Sequence, residues 1–372
     1  MKKLVVILLS LILLTGCGSK SNTDVLKEFK NNINKKDSYK VTGEMVIVSN
    51  EDKFTYDVEA SNKENKNYKV NLINKTNNHE QVILKNDDAV YVVTPSLNKS
   101  FKFQSDWPNN GSQAYLLDSL VRDIEDDTEV SVEKNDEGYI IISKVNYPNN
   151  SNLVKEKIYI DKNYKLVKVE VMDSDDTAKI IFDVKSIDYN PKFNDEYFDL
   201  DLLVDVDCDD CNNTSTTTTT KPSDNTNANS TDSSTSNSTG NASNNESTGT
   251  ESTSNILDDI IYPLYIPTDT YLSTKDTINT DTGNRVILTF AGEKPFMLVE
   301  EISVRSDEFE IIPVYGDPLL MADNVGALSA NSLYWTSNNV DYYITSETLS
   351  GEELLTIAEG MGNSSLIVNG EK

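Results

Sequence analysis

Gln81-Val82-Ile83-Leu84-Lys85-Asn86-Asp87-Asp88-Ala89-Val90-Tyr91-Val92-Val93 is the stretch whose reading decides the fold. Its two apolar runs, 81–84 and 89–93, are rich in β-branched and aromatic residues. Asn86-Asp87-Asp88 between them is a turn signal, so the pair reads as a β-hairpin. The chain continues as Thr94-Pro95-Ser96-Leu97-Asn98-Lys99-Ser100-Phe101-Lys102-Phe103-Gln104-Ser105-Asp106-Trp107-Pro108. Phe101, Phe103 and Trp107, bracketed by prolines, carry two readings. They rim a binding cavity or dock a partner, or Phe101 and Phe103 alternate on a core-facing strand. The sequence leaves both open.

Alternation extends outward from this hairpin. Upstream it runs through 39–48, 54–60 (with Phe54, Tyr56 and Val58 on one face) and 68–73. Downstream it runs through 128–133, 139–143, 153–160, 166–172 and 179–189, with Asp161-Lys162-Asn163 as another hairpin turn. Val25, Leu26, Phe29 and Ile33 recur at helical spacing. So do Leu116, Leu117, Leu120, Val121 and Ile124, with Ser112 expected as the cap of that second helix. The expected class is therefore α+β. A long antiparallel meander must curl, here into a half-barrel, and the helices have to cover its apolar face. This domain is expected over residues 22–205.

Composition then changes sharply. Residues 206–255 are mostly Ser, Thr, Asn and Asp, include Thr216–Thr220 and have no aromatic residue. Such a stretch buries too little apolar surface to offset its chain entropy and reads as a disordered linker. A smaller α+β domain is expected over 256–372, with strands at 285–290, 296–304, 333–336 and 341–345. Ser350-Gly351-Glu352-Glu353 is a capping box opening a helix whose apolar positions are Leu354, Leu355, Ile357, Ala358 and Met361.

The N-terminus reads as an address. Met1-Lys2-Lys3 precedes an uncharged apolar run over 4–14 and the sequence Leu14-Thr15-Gly16-Cys17. A spanning helix needs roughly twenty apolar residues, so this run is an export signal, residues 1–16. The ending resembles a bacterial lipobox. That resemblance implies that the Cys17 thiol is acylated and the mature protein is lipid-anchored on the extracytoplasmic face of the membrane. The formal charge of −28 repels nucleic acid and anionic headgroups, which excludes nucleic acid as a partner and leaves the lipid to do the holding.

Little in the chain suggests catalysis. Beyond Cys17, the cysteines are Cys208 and Cys211, spaced Cys-Asp-Asp-Cys. A small local disulfide is the first reading, with metal binding and a redox role as alternatives. The single histidine, His79, sits in a polar, turn-like stretch and reads as a solvated loop residue, so neither a multi-His zinc site nor a triad is expected. The acidic runs 123–127 and 173–176 lack the ligand spacing of a calcium loop and read as solvated turns. No phosphate loop or nucleophile–base pair is present. We therefore expect no enzyme, no metal and no cofactor.

The meander with inserted helices, closed by Asn194-Asp195-Glu196-Tyr197-Phe198-Asp199-Leu200, resembles the LolA/LolB/RseB lipoprotein superfamily over roughly residues 25–203. The 81–108 stretch is more specifically similar to the clostridial lipoproteins that include the germination lipoprotein GerS. Residues 256–372 resemble, more loosely, an extracytoplasmic Firmicute domain of unknown function, through Leu333-Tyr334-Trp335, Tyr342-Tyr343-Ile344 and the 349–358 helix start. The resemblance implies a half-open curved sheet over an apolar cavity, holding a lipid or a protein. It also implies work in the spore envelope or germination through a cell-wall enzyme or a membrane protein. The alternative it implies is an RseB-like stress sensor acting on a membrane-bound anti-sigma factor.

Overall fold

The computed structural model describes residues 21–49, 52–194, 196–204, 257, 259–281 and 283–361. Cys17, the pair Cys208 and Cys211, and the linker expected at 206–255 lie outside the described residues. Among the described residues no helix is long and apolar enough to cross a membrane.

Helix α1 (Asn22–Asn34) begins with a capping box. The Ser21 hydroxyl accepts from the Asp24 amide at 3.2 Å, and the Asp24 carboxylate accepts from the Ser21 amide. Val25, Phe29 and Ile33, one helical turn apart, are its buried residues. A meander follows: β1 (Ser38–Ser49), β2 (Asp52–Lys63), β3 (Asn67–Asn74), β4 (Glu80–Lys85), β5 (Val90–Thr94) and β6 (Lys99–Phe103). Helix α2 (Leu117–Asp126) leads to a second meander: β7 (Ser131–Lys134), β8 (Gly138–Lys144), β9 (Leu153–Asp161), β10 (Leu166–Asp173) and β11 (Ala178–Asp188). The two join because β1 pairs antiparallel with β2 on one edge and with β11 on the other. Gly43 sits at an irregularity of the β1–β11 pairing, and a Cβ there would stand 2.4 Å from the Phe182 ring, so only glycine lets the two strands close.

One face of this sheet is apolar. Tyr39, Val41, Met45 and Ile47 alternate along β1 and share a core with the α1 residues and with Leu117, Leu120, Val121 and Ile124 of α2. The expected helix-covered curved sheet is thus the observed one. The hairpin β4–β5 is buried on both faces, because the segment after β11 returns over the outer side. There Phe193, Tyr197 and Phe198 form a ring cluster with centroids 4.6–5.1 Å apart, above Val82, Leu84, Tyr91 and Val93. The predicted Ser112 cap is not formed. Helix α2 starts five residues later, and Ser112 instead clasps the β8–β9 loop: its amide donates to Asn146 O at 2.7 Å and its hydroxyl accepts from Asn146 N at 2.8 Å.

The second sheet is built from β12 (Thr270–Thr280), β13 (Gly283–Gly292), β14 (Phe296–Ile302), β16 (Gly316–Leu320), β17 (Val325–Ser329), β18 (Ser332–Ser337) and β19 (Val340–Thr345), in the order β12-β13-β14-β19-β18-β17-β16. Helix α4 (Gly351–Glu359) packs on one face and carries the predicted capping box, with Ser350 Oγ accepting from Glu353 N. The helix α3 (Asp201–Val204) is a single turn at the end of the first domain.

The two domains are interleaved. Strand β15 (Glu310–Val314) leaves the second sheet and pairs parallel with β6, as the outermost strand of a twelve-stranded sheet otherwise made by the first domain. Pro313 in this edge strand removes one amide from the rim. Gln81 clamps β17: its amide nitrogen donates to Val325 O at 3.1 Å while its oxygen accepts from Val325 N at 2.6 Å. Tyr56 Oη donates to Ala322 O at 2.9 Å, and Ala322, Val325 and Ala327 join the first domain's core. Lys99, on β6, reaches Asp341, on β19, at 2.8 Å with both side chains nearly covered.

Candidate functional site

Curvature and interleaving together enclose a cavity of about 480 Å³, within the range of small-molecule sites. Its deep wall is apolar. Met45 and Ile47 come from β1, Ile83 from β4, Trp107 from the loop after β6, Leu153 from β9 and Ile180 from β11, all buried. The second domain supplies the opposite wall through residues 317–322 of β16 and the following turn, with Leu355 and Glu359 of α4. At the rim stand Asn110, Gln113, Asn146, Asn149, Asn150 and Asn152, all half-buried or exposed. Asp317 ties this wall to the first domain by accepting from Ser105 Oγ at 2.5 Å and Asn110 Nδ2 at 2.7 Å.

The three aromatic residues singled out in sequence take three different places. Trp107 is buried and is also a cavity wall, edge-on to Tyr68 with ring centroids 5.9 Å apart. Phe101 is buried against the second domain, with its ring 4.8 Å from that of Tyr334. Phe103 is wholly buried in the first domain's core. The structure brings none of the three together at a surface.

Two expectations are corrected. Asp123, read as part of a solvated acidic run, is buried on the inner side of α2. His79, read as a solvated loop residue, is half-buried at the junction. Burial lowers its pKa, and the nearby Asp323 and Glu80 carboxylates only partly offset this. In both cases the cover comes from segments remote in sequence. Among the described residues no group of three or more metal-ligating side chains is present. Among the described residues, the ionic groups lining the cavity are Lys179, Asp317 and Glu359.

Asp123 has a buried companion in Glu156 of β9, 1 % exposed, and each carries a carboxyl oxygen with no hydrogen-bond partner. Burial pushes both carboxyls up, Asp123 to about 6, and the neighbouring Asp123 raises Glu156 further. An acid that holds its proton more tightly folded than unfolded makes the native state the proton-richer one. Stability is then full near pH 4 and falls as pH rises through about 6. Glu156→Gln is accordingly expected to raise the melting temperature at pH 8 and to flatten its decline between pH 4 and 8. A variant that melts lower than the parent at pH 8 would contradict this account of the pair.

The chain is thus an α+β protein in which a curved antiparallel sheet is closed by helices over a cavity with an apolar wall. It belongs to the family of YdcC-like sporulation proteins, whose model matches residues 1–198. The sporulation protein YdcC of Bacillus subtilis (strain 168) is 33% identical over 359 residues, covering 96% of this chain and 95% of that protein. Among solved structures, a LolA superfamily protein from Nitrosomonas europaea is 13% identical with a TM-score of 0.30, covering 50% of this chain and 100% of that one. The complex of the CwlD amidase from Clostridioides difficile with the GerS lipoprotein matches at 15% identity and a TM-score of 0.26, covering 48% of this chain and 99% of that one.

The sequence held a signal for only part of this site. The strands that carry Met45, Ile47, Ile83 and Ile180 were legible from alternation. The Asn-rich loop 146–152 is a turn-residue cluster, yet nothing local marks it as a rim. The contribution of residues 317–322 has no local signal at all.

Proposed function

We propose that this protein is a non-catalytic, lipid-anchored binding protein of the extracytoplasmic membrane face that acts in sporulation, and that the cavity between its two domains is its binding site. The observation that carries this reading is the cavity itself: a recess with an apolar deep wall, walled by both domains. The lipobox-like Leu14-Thr15-Gly16-Cys17 supports the anchor, and membership of the sporulation family supports the setting. Spore-envelope or germination work through a cell-wall enzyme is the particular role this reading favours.

Two variants test the two halves. Cys17→Ala should leave a precursor of higher mass that partitions away from the lipid-anchored fraction; processing at normal size with firm membrane attachment would rule the anchor out. Asn150→Trp, at the half-buried rim with its indole turned into the recess, should fold with a melting temperature near the parent's yet fail to restore sporulation in a strain lacking the native gene. Full restoration by a folded, plugged protein would show that the cavity is not the working site.

A further inference from the structure

The lining of the cavity divides by depth in a way that specifies a ligand head. The buried wall offers hydrocarbon, sulfur and ring surface from Met45, Ile47, Ile83, Trp107, Leu153 and Ile180. The accessible rim offers six carboxamide side chains, five Asn and one Gln. Each carboxamide presents both donors and an acceptor and carries no charge. The ionic groups are few and ill-suited to an ion. Lys179 already faces Asp173 at 3.4 Å, Asp317 is occupied by Ser105 and Asn110, and Glu359 adds a second acid. An anionic head would meet two carboxylates and one committed ammonium. A cationic head would find one carboxylate already hydrogen-bonded and the other, Glu359, half-buried at the end of α4. Moving a charge from water to such a place is costly without a dedicated partner.

Resting on the reading of this cavity as the binding site, we infer that it takes an amphiphile with an apolar chain and an uncharged, hydroxyl- or amide-bearing head: the chain lies along Trp107 and the β1 side chains, and the head is held by the asparagine rim. Such a head both donates and accepts, which is what a carboxamide ring can answer. A phosphate or carboxylate could use only the donors of this rim, would leave the rim's acceptor oxygens unanswered, and would stand beside Asp317 and Glu359.

The chain's two tryptophans make this readable. Trp107 lines the cavity, whereas Trp335 is stacked on Tyr342 in the second domain's core, with ring centroids 4.9 Å apart. The purified full chain is titrated with three brominated probes of equal chain length: a monoacylglycerol, a fatty acid and an alkylamine. Fluorescence quenching is read for the parent and for Trp335→Phe, which reports Trp107 alone. The monoacylglycerol should quench saturably, in both proteins, with an apparent affinity about tenfold tighter than either charged probe. Native mass spectrometry of the parent, expected to show one monoacylglycerol per chain, gives the same answer if Trp335→Phe does not fold. Equal or tighter binding of the fatty acid or the alkylamine would overturn the head assignment and leave the cavity reading standing. Absence of quenching and of bound mass with all three would overturn both.

Discussion

Asp341→Ala is expected to cost about 3–5 kcal/mol of stability, the usual penalty for leaving one partner of a buried ion pair alone. Lys99 Nζ lies 2.8 Å from Asp341 Oδ2 and 3.2 Å from Tyr334 Oη, while Thr336 Oγ1 donates to Asp341 Oδ1 at 2.6 Å. Burial by itself would raise the Asp341 carboxyl, but the Lys99 ammonium and its hydrogen bond outweigh it and hold the group below the ordinary carboxylate range. A carboxylate held low when folded contributes stability above its unfolded pKa near 3.8, which is lost as pH falls below that value. The junction should therefore loosen in acid. Urea unfolding at pH 7 and pH 3 measures both effects. The apolar double replacement Lys99→Met with Asp341→Leu should recover most of the loss, since the cost lies in the orphaned charge rather than in the missing pair. A loss below about 1 kcal/mol for Asp341→Ala would show that the pair behaves as a surface one.

Trp107→Ala is expected to lower stability by about 3–5 kcal/mol and to abolish binding of an apolar probe. The indole is 2 % exposed, packs edge-on against Tyr68 and shares the core of the first domain. Its backbone carbonyl also accepts from Lys85 Nζ. It is a cavity wall at the same time. The two sequence readings of this residue, core or binding rim, are therefore not exclusive. A thermal melt and a probe titration should move together. A melt within about 1 kcal/mol of the parent would remove Trp107 from the core, and unchanged probe affinity in a folded variant would remove it from the site.

The family relationship and this geometry connect at one point. The long relative in Bacillus subtilis matches nearly the whole chain, second domain included. Residues 317–322, on that second domain, form one wall of the cavity. The proposed site, walled by both domains, would need both, and the similarity extends over both.

Local chemistry was enough for most elements and for the curved-sheet class. A strand with one buried face must alternate, and β1, β3 and β9 do so in sequence as in structure. Capping residues act within one turn, so the start of α4 was legible at Ser350 and Glu353. Turn residues act within three or four positions, as at Asn86, whose side-chain oxygen accepts from the Asp88 and Ala89 amides. Ser112 shows where this logic ends: the same hydroxyl that suits a helix cap was claimed by Asn146, 34 residues away.

What only the tertiary structure decided is how the two domains meet. Strand β15 pairs with β6 across more than two hundred residues, Glu310 beside Lys99. Its five residues, Glu-Ile-Ile-Pro-Val, look like an ordinary short edge strand whose partner no local pattern can name. Gln81, Lys99 and Phe101 read in sequence as parts of one hairpin and the strand after it, yet each is buried by the second domain. His79 lies beside Asp323 of the second domain, whereas Asp123 is buried within the first domain, near Ser112 and Glu156. Sequence periodicity reports which face of an element avoids water. It does not report which distant surface covers that face. The cavity, with its apolar wall from one domain and its lid from the other, exists only because that long-range choice was made.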